Sequence, residues 1–217
     1  MSFDKKWESQ IYKKKRQINK YPFHNLVAAI NRLYKNKKIN DFEVLDLGCG
    51  TGNNSKFLID FGFKKVTGID GSESAILIAK NFIKSNKCKF YCCDFKNFKF
   101  MKNKFDLIID RGSLTHNKKN FVKFIYNKSF TGLNEGGFLI SYVFSKKHSE
   151  YKKQKKNDAF KKTMGVKSQM TATFFDQSEI EKIFKKFKII SLSESTEKNF
   201  TNKYSTSYWH IIAQKKS

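Results

Sequence analysis

A chain of 217 residues is long enough for one sizeable α/β domain with its own core and too short for two of ordinary size. The hydrophobic share is 39%, and 23 Phe and 9 Tyr supply large apolar side chains, so the low mean hydropathy does not point to disorder. A net charge of +25 raises nucleic acid, anionic membrane surface and acidic small molecules as partners, yet only Arg16, Arg32 and Arg111 are arginines, which counts against bidentate readout of phosphates or guanines.

In chain order, residues 4–35 read as helical with a break at Pro22. Trp7, Ile11 and Ile18 fall on one face of the first part, and Leu26, Val27, Ile30 and Leu33 repeat at helical spacing in the second. The run from Phe42 to Leu47 is apolar and ends in glycine-rich sequence, which predicts a buried parallel strand opening into a turn and then a helix over 54–61. Lys65–Asp70 predicts a second strand and 72–84 a helix, with Ala75, Ile76, Ile78, Ala79 and Ile83 inward. Strands follow at 89–93 and 105–110, a helix at 118–133, the turn Asn134-Glu135-Gly136-Gly137 and a strand at 137–144. Such alternation predicts a doubly wound, mostly parallel sheet with helices on both faces. Residues 145–167 are polar and lysine-dense and read as a surface lid. Asp176-Gln177-Ser178-Glu179 starts a helix through Phe187 with Ser178 as its N-cap, and 189–193 with 208–213 read as a terminal hairpin. The lysine clusters at 13–15, 152–156 and 185–188 are expected to be solvated faces.

One domain is therefore expected over 1–217: an N-terminal helical cap (1–40), a core (42–145), a lid or connection (146–176) and a C-terminal helix with a strand hairpin (177–217). Cys49, Cys88, Cys92 and Cys93 lack metal-ligand or disulfide-framework spacing, so they read as small buried hydrophobes and no metal is expected. Met1–Lys20 has no apolar core and no stretch approaches ~20 apolar residues. The expectation is a cytoplasmic protein without membrane insertion, and the sequence leaves its oligomeric state open.

The strongest motif is Asp46-Leu47-Gly48-Cys49-Gly50-Thr51-Gly52, at the end of one expected strand and before a helix. Glycines at 48, 50 and 52 let backbone amides approach a ligand, and the helix N-terminus favours a carboxylate there. After Gly48 and Gly50, the position that would complete a dinucleotide fingerprint is Asn53, so nicotinamide dinucleotide binding is disfavoured.

Val44–Asn54 resembles the first motif of class I S-adenosylmethionine-dependent methyltransferases, with Asp46, Gly48, Gly50 and Gly52 at its acid and its three glycines. The likeness covers about residues 42–145. It implies that Asn53 and Asn54 adjoin the cofactor, that Asp70, with Gly71 and Ser72, meets both ribose hydroxyls, and that Asp94 and Phe95 hold the adenine. It also implies that the strand ending at Asp110 lies beside the methionine moiety, that Leu133–Gly137 is the turn before the fifth strand, and that the sheet has seven strands, the last antiparallel at 208–213. The leader Trp7–Phe23 resembles, more loosely, that of bacterial methyltransferases of surface-glycan pathways.

For the chemistry, Asp110-Arg111-Gly112-Ser113-Leu114-Thr115-His116 is the place to look. His116 is a candidate general base or a capping histidine, and Arg111 could bind an acidic acceptor or the cofactor's carboxylate or pair with Asp110. Tyr21, Tyr142 and His148 are further candidates for the acceptor side. The expected function is O-methylation of a small anionic acceptor such as a nucleotide-linked sugar, a capsule or glycan component or a phosphorylated metabolite, with the lysine-rich stretch 146–162 closing over it. RNA methylation and a non-catalytic cofactor-binding subunit are the alternatives.

Overall fold

The computed structural model describes residues 3–154, 160–161 and 170–216, with side chains omitted for 152–154, 160 and 161. Strands β1 (Glu43–Leu47), β2 (Lys65–Asp70), β3 (Cys88–Cys92), β4 (Phe105–Arg111) and β5 (Leu133–Ser145) lie parallel in the order β3-β2-β1-β4-β5. Short strands β6 (Phe160–Lys161) and β7 (Met170–Thr171) pair with each other, and β8 (Phe174–Phe175) runs parallel to the end of β5. The hairpin of β9 (Phe187–Asn199) and β10 (Tyr204–Lys215) completes the sheet, with β10 antiparallel to β5. The seven expected strands thus form the continuous path, and β8 is an eighth beside it.

Among the described residues six α-helices accompany these strands: α1 (His24–Tyr34), α2 (Asn53–Phe61), α3 (Glu73–Phe82), α4 (Lys119–Gly132), α5 (Ser149–Gln154) and α6 (Gln177–Ile183). A six-residue π-helix (Trp7–Tyr12) and a 3-10 turn (Leu114–His116) are added. Because successive strand residues face opposite sides, the sheet needs two cores. Val44, Leu107 and Ile109 pack with Leu26 and Ile30 of α1 and Leu58 of α2, whereas Leu45 and Ile108 pack with Val122 and Ile125 of α4 and Ile180 of α6. Each such side chain, fully withdrawn from water, stabilises the fold by about 1.5–3 kcal/mol.

Three local expectations need correction. The helix over 4–35 is a π-helix, an irregular stretch around Pro22 and then α1, with the carbonyls of Asn19 and Tyr21 accepting from Thr51 and Asn53 in place of helical bonds. The turn at 134–137 is absorbed into β5, where Phe105 faces Leu133 but Leu107 faces Phe138, and Gly136 takes the slack at φ +74°. The cap of α6 is Asp176, not Ser178: its carboxylate accepts from Glu179 N while the Glu179 carboxylate accepts from Asp176 N, and the helix stops at Ile183 so that Phe184 and Phe187 both enter the core.

The expected lid at 146–176 is more structured at its ends than its composition suggests. Ser145 and His148 are buried, as are Met170 and Ala172 to Phe175. Lys146 pairs with Asp176 and Glu179, and Lys147 with Glu194, so neither is reserved for a ligand. Residues 155–159 and 162–169 of the lid lie outside the described residues, and with them Lys155 and Lys156 of the cluster at 152–156, whose first three residues fall in α5. Lysines 13–15 and Lys185, Lys186 and Lys188 are exposed, as solvated faces should be. Among the described residues no helix is long and apolar enough to cross a membrane, and no group of His, Cys, Asp or Glu could hold a metal ion.

Candidate functional site

From β1 the chain moves outward to β2 and β3 on one side, and the sheet continues through β4 and β5 on the other, which leaves a crevice beyond the C-terminal ends of β1 and β4. A cavity of about 420 Å³ occupies it. Its floor is the loop after β1, where Gly48, Gly50 and Gly52 have φ of +70°, +52° and +85°. At Gly48 the requirement is strict: a Cβ would sit 2.2 Å from Ser113 Cβ, in a backbone region that side chains disfavour. The amides of Gly48 and Cys49 donate to the Ile69 carbonyl, and Gly50 N donates to Asp70 Oδ2 at 3.0 Å, so the ends of β1 and β2 hold the loop together.

Asp70 is buried beside this loop and lines the cavity. Its Oδ1 accepts from Ser72 N at 2.9 Å. A carboxylate offers about four lone-pair directions, so two bonds leave about two for hydroxyls in the cavity. Burial raises its pKa to about 6, against the pull of the Ser72 and Gly50 amides and with a further push from Glu8. Asp94 and Phe95 line the same end, the former accepting from Phe3 N and Lys96 N. Asn53, Asn54 and Gly71 also reach the cavity wall.

Four residues of the expected cofactor set stand behind that wall. Asp46 is buried beneath the glycine loop and accepts from Ser55 Oγ at 2.6 Å, and burial pushes its carboxyl up to about 7. Gly52 packs closely on Ala79, Ile83 and Phe90. Ser72 is the N-cap of α3 and accepts from Ala75 N. Asp110 is fully buried: its Oδ1 accepts from Ser113 N, Ser113 Oγ and Leu114 N, and its Oδ2 from Tyr126 and Ser141. Their work is to shape the loop after β1 and the turn after β4.

That turn carries Arg111, Ser113, His116 and Asn117 into the cavity. Since Asp110 is spent on the turn, it makes no ion pair with Arg111. Instead the guanidinium stacks 3.8 Å from the centre of the Phe23 ring, with Tyr142 and Tyr208 at 5.1 and 5.3 Å. Burial pulls its pKa down, and its Nε has no partner among the described residues. His116 Nδ1 lies 3.2 Å from the Thr171 carbonyl, which can only accept, so the neutral ring carries its proton on Nδ1 and a lone pair on Nε2. Trp7 and Phe144 flank that ring edge-on. Of the other candidates, His148 lines the cavity, Tyr142 lies under Arg111 outside the wall, and Tyr21 is 84% exposed.

Sequence reasoning missed one whole wall. Phe3, Asp4, Trp7, Tyr12, Gln17, Asn19 and Phe23 line the cavity from the N-terminal segment. Glu8 fastens it by accepting from Ser72 Oγ, Ser74 N and Ser74 Oγ, while Thr51 Oγ1 donates to Asn19 O and Asn53 Nδ2 to Tyr21 O. Two acids, Asp4 and Glu8, among lysines and beside aromatics were the available signal. Tyr204, Thr206 and Tyr208 of the hairpin close the other side.

Comparison with known proteins agrees with this geometry. Residues 44–137 match the family model described as a methyltransferase domain. The chain is 29% identical over 128 residues to the malonyl-[acyl-carrier protein] O-methyltransferase of Bacillus anthracis, covering 58% of this chain and 46% of that protein. It is 29% identical over 142 residues to the ubiquinone biosynthesis O-methyltransferase of Pelagibacter ubique, covering 61% and 58%. The chain therefore matches about half the length of these curated relatives. Among solved structures, an S-adenosylmethionine-dependent methyltransferase from Methanosarcina mazei superposes with a TM-score of 0.71 at 22% identity, over 85% of this chain and 97% of that one. A Burkholderia thailandensis 1,6-didemethyltoxoflavin-N1-methyltransferase, holding its substrate and S-adenosylhomocysteine, gives 0.67 at 15% identity over 95% and 84%. These last two likenesses establish the fold.

Proposed function

From the methyltransferase-domain match over residues 44–137 and the shared fold, we propose that this chain is a class I S-adenosylmethionine-dependent methyltransferase that transfers a methyl group from that cofactor to an oxygen of a small anionic molecule. One continuous cavity carries the reading: the glycine loop, Asp70 and Asp94 lie on its wall together with His116 and Arg111. In this reading Asp70 accepts from the ribose hydroxyls and Asp94 from the adenine amino group with Phe95 against the ring, while Gly48 to Thr51 with Asn53 and Asn54 flank the rest. Bound there, the cofactor supplies a methyl group activated on sulfonium sulfur. His116 Nε2 holds the proton of the accepting hydroxyl, the aromatic wall excludes water, and Arg111 fixes the acceptor's negative group.

Two outcomes are expected. His116→Ala lowers turnover of an accepted substrate by about 100-fold while leaving affinity for S-adenosylhomocysteine within about threefold, since the ring acts on the acceptor alone. Turnover of acceptor by the variant at the original rate removes His116 from the mechanism. Affinity for S-adenosylhomocysteine also depends on pH. The ribose site needs Asp70 ionised, and its carboxyl titrates at about 6 in the free protein, so affinity is full above about pH 7 and weakens towards tenfold per unit below pH 6. Calorimetric titrations at pH 5, 6, 7 and 8 read this directly.

A further inference from the structure

The acceptor side of the cavity has a chemistry of its own. Its rings form an unbroken chain of contacts: Trp7 to His116 at 4.8 Å, His116 to Phe144 at 5.6 Å and Phe144 to Tyr208 at 4.9 Å. Tyr208 in turn adjoins the Arg111 guanidinium, which lies on Phe23. The charged residues of the cavity wall are segregated. Among the described residues Asp4, Asp70 and Asp94 supply its carboxylates, and Arg111 is its one arginine or lysine.

That guanidinium is in an expensive position. Stacking on aromatic faces satisfies its planes but leaves its edge donors, and the described residues offer it no carboxylate and leave Nε without a partner. Its Tyr208 hydrogen bond is a neutral one. A planar cation held between rings with its Nε donor unspent suits a carboxylate, which accepts side-on from Nε and a neighbouring Nη. A wall of rings favours a flat, conjugated body over a flexible or heavily hydroxylated one, because ring-on-ring contact adds to simple area burial.

We propose that the methyl acceptor is a hydroxylated aromatic acid whose ring lies on the Trp7–His116–Phe144–Tyr208 wall and whose carboxylate is held by Arg111. The assignment rests on the methyltransferase reading above and narrows its acceptor from small anions in general to this class. In the transfer, the hydroxyl oxygen forms the bond to the methyl carbon, the methyl–sulfur bond breaks with its electron pair going to sulfur, and the hydroxyl proton goes to His116.

The test uses the full chain saturated with S-adenosylhomocysteine and titrated with three probes: 3,4-dihydroxybenzoate, 3,4-dihydroxybenzamide and succinate. The benzoate is expected to bind at least about tenfold more tightly than either of the others, because only it offers both ring and carboxylate. In Arg111→Gln the benzoate and benzamide become equal, with affinity for S-adenosylhomocysteine kept within about threefold. Equal binding of benzoate and benzamide, succinate binding as tightly as the benzoate, or none of the three binding overturns the inference on the unaltered chain alone. A tenfold loss of S-adenosylhomocysteine affinity in Arg111→Gln overturns it too, since the guanidinium would then hold the cofactor's own carboxylate. If S-adenosylhomocysteine itself fails to bind, the methyltransferase reading falls, and this inference with it.

Discussion

Gly48→Ala is expected to destabilise the chain by about 3 kcal/mol or more and to abolish cofactor binding. Two costs add. Alanine at φ +70° is strained by about 1–2 kcal/mol, and its Cβ would lie 2.2 Å from Ser113 Cβ and 2.5 Å from Ser113 Oγ. Ser113 has no easy retreat, because its Oγ sits between two acceptors that share its one proton, the Leu47 carbonyl at 2.8 Å and Asp110 Oδ1 at 2.6 Å. Relief must come from parting the β1 loop from the β4 turn, which are the two sides of the cleft. Thermal unfolding should register a fall of about 6–12 °C for a chain of this size. An unchanged midpoint with intact binding would show that the two loops are not in the contact described.

The second large effect is at Asp70. Asp70→Ala is expected to weaken S-adenosylhomocysteine binding by at least about 100-fold, which corresponds to about 3 kcal/mol for two hydrogen bonds to a charged acceptor. Folding should survive, because the substitution removes a buried carboxylate whose ionisation burial already opposes, although the Gly50 and Ser72 amides lose their acceptor. Asp70→Asn retains shape and one acceptor oxygen and should fall between the two. Equal affinity in all three proteins would take Asp70 out of the ribose site.

What the sequence made legible follows from the range of the interactions concerned. The run ending at Leu47, the glycines at 48, 50 and 52 and the acid at 70 are local patterns, and the structure puts Gly48, Gly50 and Asp70 on one cavity wall. Asp46, Gly52, Ser72 and Asp110 belong to the same local patterns, but their side chains or packing faces turn into the protein. A motif marks where a turn is made; it does not say which of its residues faces the ligand. The N-terminal wall was harder to see because its contacts are distant in sequence: Phe3 with Asp94, Glu8 with Ser72 and Ser74, Asn19 with Thr51. Periodicity predicts a helix there and has nothing to say about such partners. His148 illustrates the converse. Surrounded by lysines in sequence, it is buried against Phe144, Phe174 and Tyr204 because β5, β8 and the hairpin converge on it.

The most direct test of the account is a calorimetric titration of the unaltered chain with S-adenosylmethionine and, separately, with S-adenosylhomocysteine at pH 7.5. Saturable binding of one molecule of either per chain is expected. Folded protein that gives no binding heat with either ligand across several temperatures would contradict it.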